Sequence, residues 1–307
     1  MILLAVLASP LAAQTASPDT AGVGELIARG IGRSDVTAHL GHLTDVIGPR
    51  LSGTPAMRRA NEWTADRLRG YGLGATLEPY TFGVTWERGT ASLRLLEPFR
   101  RAITAFSWAW TAGTGGRAVA GPVVLADLST RDSFAVYRGR VSGAWVLPKP
   151  SLPIWNPDGP PITAADSASL AARQALRASL TADTSAPAVE ARRQWQIDLP
   201  YLLRQAGALG TLTDGNKEHA LLTMSGSPNR ISPLPNLVIS HEDYTQLERL
   251  IAAGVTPKVE ARVENRFGEK PVQQWNTVGE IRGSELPGQV VILGAHLDSW
   301  DLATGTT

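Results

Sequence analysis

At 307 residues, with 43% hydrophobic and 19% charged side chains, the chain has enough apolar surface for a buried core and too little charge for a disordered one. Its 29 basic and 28 acidic residues leave a net charge of +1 with no concentrated run of Lys and Arg, which argues against a nucleic-acid partner. The absence of cysteine removes disulfides, thiol nucleophiles and thiolate metal sites, so any metal must be held by His, Asp and Glu.

The apolar run over 2–8, closing on Leu11-Ala12-Ala13 before the polar Gln14, has the pattern of a secretory h-region with its small-residue cleavage site, although no basic residue precedes it. About a dozen apolar residues fall short of the roughly 20 that cross a bilayer, so the reading is a signal segment over 1–13, no membrane span and a secreted or periplasmic protein. Helical spacing of Val23, Leu26, Ile27 and Ile31, and again of Val36, Leu40, Leu43 and Ile47, predicts two amphipathic helices. Gly48-Pro49-Arg50-Leu51-Ser52-Gly53-Thr54-Pro55 stops the second, and a third helix is expected over 56–69 around Ala60, Trp63, Ala65 and Leu68. Partial alternation predicts strands over 75–84 and 90–96, with a turn near 86–89.

A Gly/Thr-rich break at 111–116 marks the start of a second unit. Within it, strands are expected over 118–125 and 142–147, a proline-rich surface loop over 148–161, and helices over 164–188 and 201–206. A strand is expected over 234–240, and Ser240-His241-Glu242-Asp243 reads as the N-cap and acidic first turn of a helix through Ala253. Further strands are expected over 258–263 and 277–281. The unbroken apolar run Val290-Val291-Ile292-Leu293-Gly294-Ala295 reads as a strand buried on both faces of an α/β sheet.

His296 and Asp298 follow that run, at the strand end where open α/β sheets place their ligands. A neutral imidazole is a good zinc ligand, and a carboxylate two residues on can hold its second ring nitrogen. The spacing alone is a weak signal, and a hydrogen-bonded histidine near a strand end is the plainer alternative. Trp300, beside this pair, is placed to wall a substrate cleft. His39 and His42 on one helix, His219 beside Glu218, and His241 read as solvated or packing residues, while Asp35, Asp45, Asp127 and Asp214 read as cap or loop carboxylates. Ser52 and Ser299 lack the surroundings of a nucleophile elbow.

The stretch Asn276-Thr277-Val278-Gly279-Glu280-Ile281-Arg282-Gly283-Ser284-Glu285, followed by Val290 through Asp301, resembles the M28 family of zinc exopeptidases, in its carboxypeptidase Q-like branch. The loop over 47–55 resembles one these enzymes carry after their first helices. The segment 112–256 resembles their inserted protease-associated domain through 141–147, 206–210 and 234–240. The resemblance implies an α/β fold, the phosphorylase/hydrolase-like mixed sheet of zinc exopeptidases, incomplete here and carrying a β-rich insertion. Residues 14–111 would open the peptidase domain, 112–256 form the insertion and 257–307 begin the zinc-peptidase core. His296 would then ligate one of two zinc ions and Asp298 would orient it. The family's bridging Asp, Glu-Glu pair, further acidic ligand and final His would fall past Thr307, so the chain reads as an incomplete copy, inactive by itself. Ala295 and Ala303 stand where many relatives have Gly, changes that remove no ligand.

The implied reaction is hydrolysis of amide bonds in small peptides, of aminopeptidase or dipeptidase type, by a water activated between two zinc ions. The implied partner is the small peptide substrate, with a homodimer an open option. A non-catalytic binding protein that keeps the peptidase architecture is the alternative. A zinc de-N-acetylase is the weaker one, because Leu297 and Ser299 break the His-Pro-Asp-Asp pattern of those enzymes.

Overall fold

The computed structural model describes residues 20–32, 34–149 and 185–302 of the chain. The expected signal segment and nearly all of the proline-rich loop and of the helix over 164–188 lie outside the described residues. The chain divides into two compact units, 1–46 and 47–307. The first holds α1 (Thr20–Gly32) and α2 (Val36–Gly41), and α2 passes at its end into a π-helical turn, His42–Ile47. Among the described residues no helix is long and apolar enough to cross a membrane.

In the second unit α3 (Pro55–Gly70) begins where Thr54 accepts the Met57 amide and Pro55 fills the first helical turn. It buries Met57, Ala60, Asn61 and Ala65, a stripe at helical spacing. This face meets an antiparallel ribbon of β1 (Gly74–Glu87) and β10 (Arg266–Glu280), whose register runs from Gly74 opposite Glu280 to Glu87 opposite Arg266. The contact is close: a Cβ on Gly279 would lie 3.0 Å from Leu68 Cδ1, and the Thr277 hydroxyl donates to Asn61 Oδ1 at 2.9 Å.

Both strands expected around the 86–89 turn are present, but they do not pair with each other. β1 pairs with β10, and Arg88-Gly89-Thr90 instead crosses into a second sheet at β2 (Ala91–Glu97). At this crossing the outgoing and returning chains touch. A Cβ on Gly89 would lie 2.1 Å from the Glu264 carbonyl oxygen, so glycine is needed for close approach here.

The second sheet has eight strands in the order β3-β2-β9-β5-β6-β7-β8-β4. Its edge strands β3 (Arg101–Ile103) and β4 (Ala105–Ser107) are separated only by Thr104, so the sheet curls until its edges meet. β5 (Val119–Asp127), β6 (Trp145–Lys149), β7 (Gly210–Asp214) and β8 (Asn236–Ile239) are parallel, while β2, β3, β4 and β9 (Lys258–Val263) join antiparallel. Among the described residues the helices of this region are α4 (Arg131–Tyr137), α5 (Ala186–Gln205) and α6 (His241–Ala252). Strand alternation divides the core: Trp145 and Leu147 join Leu93, Val123, Leu212, Leu237, Ile239 and Val259 on one face, and Val146 joins Phe134, Val141 and Leu203 on the other.

The helix expected over 201–206 is the last part of α5, whose start Ser185 caps. Ser240 caps α6 by accepting the Asp243 amide at 3.0 Å, with Glu242 and Asp243 in the first turn, as the sequence reading expects. The boundaries expected at 112 and 256 fall inside the eight-stranded sheet, because β2, β3 and β4 precede the first, β9 follows the second, and all hydrogen-bond into it.

One element departs from expectation. The run Val290–Ala295 forms no strand, and Val290 to Leu293 are 79% to 96% exposed. A strand buried on both faces needs a ladder on its edges and a layer over each face, and among the described residues nothing supplies either to this run.

Candidate metal-ligand site

Two loops far apart in sequence are bound together at the site. Gly48, with φ 81°, turns the chain after the π-helical turn, and Gly53, with φ 93°, turns it again into α3. Between them Arg50 is buried, and its backbone closes a reciprocal pair with Ser299: the Arg50 amide donates to Ser299 Oγ at 2.9 Å and the Ser299 amide to the Arg50 carbonyl at 3.1 Å. Arg50 Nε donates to the Leu297 carbonyl at 2.9 Å and Nη1 to the Gly48 carbonyl at 3.1 Å. Burial lowers the Arg50 guanidinium pKa from its ordinary value, while the nearby Asp298 charge works in the opposite direction.

The clasp presents a line of three polar side chains. Ser52 Oγ donates to Asp298 Oδ2 at 3.1 Å, and Asp298 Oδ1 lies 2.8 Å from His296 Nδ1. A carboxylate only accepts, so in the neutral ring Nδ1 carries the proton and Nε2 the lone pair, on a side chain that is 90% exposed. The order Ser-Asp-His also argues against Ser52 as a nucleophile. In a nucleophilic triad the imidazole stands between hydroxyl and carboxylate to take the proton, whereas here the carboxylate stands between. Tyr80, on β1, titrates above its ordinary value through burial first and the Asp298 charge second.

Behind this line lies a second anchor. Trp300 is half-buried against Leu51, Trp86, Ala109 and Trp110, with Trp86 and Trp110 stacked at 6.3 Å between centroids and Trp86 Nε1 donating to the Thr111 carbonyl at 2.9 Å. Arg88, at the crossing from β1 to β2, grips the Asp301 carboxylate bidentately, with Nη2 3.1 Å from Oδ1 and Nε bonded to Oδ2. Its Nη1 donates to the carbonyl and, at 2.9 Å, the hydroxyl of Ser107, and its guanidinium lies 5.0 Å over the Trp86 ring. Asn265, on the return crossing, donates to the Thr111 carbonyl at 3.1 Å and lies 2.9 Å from Ser107 Oγ.

Sequence reasoning singles out His296, Asp298 and Trp300 but not the residues that contact them. Arg50 and Ser52 stand in a loop marked for its resemblance, but Ser52 is weighed there only as a nucleophile, and nothing local points to Arg88 or Asp301. Within the second unit the other histidines have different neighbours. His241 Nδ1 lies 2.8 Å from buried Asp214, which also accepts the Asn216 amide and so braces the loop after β7. His219 is exposed beside Glu218, and His39 and His42 stand at the end of α2 and the start of the π-helical turn. Asp127 accepts from the Ser129 amide and hydroxyl, as a loop carboxylate does.

The donor chemistry suits one zinc ligand: an exposed imidazole, its distal nitrogen free and its proximal N–H held by a carboxylate. Among the described residues no group of three His, Asp or Glu side chains converges to complete a coordination shell.

No family model matches the chain. It is 26% identical over 268 residues to carboxypeptidase Q of Bos taurus and 26% identical over 271 residues to that of Homo sapiens, each match covering 86% of this chain and 49% of the relative. The chain thus spans about half the length of the curated relatives it matches. Among solved structures, a peptidase M28 precursor from Shewanella amazonensis superposes with a TM-score of 0.64 at 18% identity, covering 93% of this chain and 59% of that one, which shows a common fold.

Proposed function

We propose that this chain, a relative of carboxypeptidase Q with the fold of an M28 peptidase, carries one metal ligand of a zinc-dependent exopeptidase that hydrolyses amide bonds of small peptides. The observation that carries the reading is His296, with Nδ1 held by Asp298 and Nε2 free. Bound zinc, in two ions, supplies Lewis-acid polarisation of the scissile carbonyl and an acidified water. The chain's own residues do the positioning. His296 donates its Nε2 lone pair, and Asp298 keeps the proton on Nδ1 and raises the basicity of the ring. Arg50 fixes the Leu297 carbonyl between them, and Trp300 offers the exposed part of its ring as a cleft wall.

The inserted protease-associated module runs, in this reading, from β2 to β9 and not from 112 to 256, because a sheet cut at 112 would lose its β2–β9 and β4–β8 ladders. Export to a secreted or periplasmic location rests on the run before Ala13. A mature amino terminus near Gln14 by mass spectrometry is the expected result, and an intact Met1 on cytoplasmic protein contradicts it. A homodimer is the assembly we propose, with sedimentation its check.

The reading is tested on the protein as its host makes it, with a panel of dipeptides and aminoacyl anilides. Hydrolysis should disappear on chelation and return with added zinc. Hydrolysis that survives chelation shows the metal mechanism to be wrong, and peptide binding without hydrolysis in zinc points to the non-catalytic alternative.

A further inference from the structure

Resting on His296 as a zinc ligand, we infer that Ser52 is a positioning residue: its hydroxyl fixes the Asp298 carboxylate, and through it the tautomer and direction of the His296 ring. The imidazole is 90% exposed, so packing does not hold it, and among the described residues its orientation depends on the single bond from Nδ1 to Asp298 Oδ1. That carboxylate is itself partly exposed, and a terminal carboxylate torsion is broad unless both oxygens are engaged. The Ser52 hydroxyl engages the second oxygen, Oδ2, at 3.1 Å and so leaves Oδ1 aimed at the ring.

Ser52 can do this because its own backbone is fixed on both sides. On one side Leu51 is buried and Arg50 is tied to Leu297 and Ser299. On the other, Thr54 closes a turn by donating its amide to the Leu51 carbonyl at 3.1 Å and its hydroxyl to the same oxygen at 2.7 Å, while capping α3. The hydroxyl is therefore carried by a turn locked to the metal-ligand loop at one end and to a helix at the other. Its donor capacity is what the site uses, and its nucleophilicity has no base to call on.

The test reads the ring directly. In the protein as its host makes it, labelled with 15N-histidine, long-range proton–nitrogen correlations assigned with His296→Gln should show His296 as the Nδ1–H tautomer. Ser52→Ala should bring in the Nε2–H form that an unheld imidazole favours and weaken zinc binding about tenfold, the lower end of losses for residues behind a metal ligand. Ser52→Thr, which keeps a hydroxyl, should restore both. An unchanged tautomer and zinc affinity in Ser52→Ala overturns the inference. Should Ser52→Ala fail to fold, Ser52→Cys, with a similar volume and a weak donor, is held to the same two outcomes. If added zinc leaves the wild-type His296 resonances unmoved, the zinc-ligand reading fails, and the tautomer comparison still decides the role of Ser52.

Discussion

Replacing His296 by alanine in the protein as its host makes it should lower kcat/KM for a good dipeptide substrate at least about a thousandfold, equivalent to about 4 kcal/mol of transition-state stabilisation. The variant removes a ring nitrogen whose partner nitrogen is held by Asp298, and leaves Asp298 and Ser52 with nothing to orient. Folding stability should move by no more than about 0.5 kcal/mol, because the ring is almost fully exposed and its loss opens no cavity. That contrast separates a ligand from a packing residue. Asp298→Asn, which keeps the shape but loses the anionic acceptor, should fall between, at about 10-fold to 100-fold. A His296→Ala enzyme with more than a tenth of wild-type activity contradicts the assignment.

Arg88→Ala should cost about 3–5 kcal/mol of stability, the range for leaving one member of a buried ion pair uncompensated. Arg88 and Asp301 are only 12% and 11% exposed, and the arginine also satisfies the Ser107 carbonyl and covers the Trp86 ring. The cost follows from stranding Asp301, so Arg88→Met combined with Asp301→Leu should recover much of it. Urea unfolding monitored by tryptophan fluorescence reads both variants, with the midpoint falling and the slope unchanged for Arg88→Ala. A loss below about 1 kcal/mol would mean that the pair behaves as a surface bridge and does not pin the crossing.

What could be read in the sequence was local. The limits of α3, the Ser240 cap and the strands at β5, β8 and β9 follow from spacing and capping residues that act within a few positions. Partnership was not legible. Alternation marks β1 as a strand but does not say that β10 is its partner, and the turn signal near Gly89 is in fact a point where two segments of the chain touch. In the Gly-rich stretch at 111–116 a Cβ on Gly113 would lie 2.5 Å from the Val263 carbonyl oxygen, so this glycine answers to close packing against β9, a partner the local sequence does not name. The run from Val290 has the composition of a doubly buried strand, but burial is conferred by neighbours that a run of apolar letters cannot name.

At the site the same rule holds. His296 and Asp298 stand two apart and are visible together, whereas Ser52 and Arg50 reach them across more than two hundred positions, and Arg88 reaches Asp301 across a similar distance. A serine's role as a donor to a distant carboxylate leaves no local trace, and the nucleophile question that a serine invites is the wrong one here.

X-ray absorption at the zinc edge, on zinc-loaded wild type beside His296→Ala, shows whether the His296 imidazole binds the metal. Imidazole scattering with Zn–N near about 2.0–2.1 Å, reduced by one ring or lost with the zinc in the variant, is the predicted result. Full zinc content with an unaltered imidazole signal in His296→Ala would show that His296 is not a ligand.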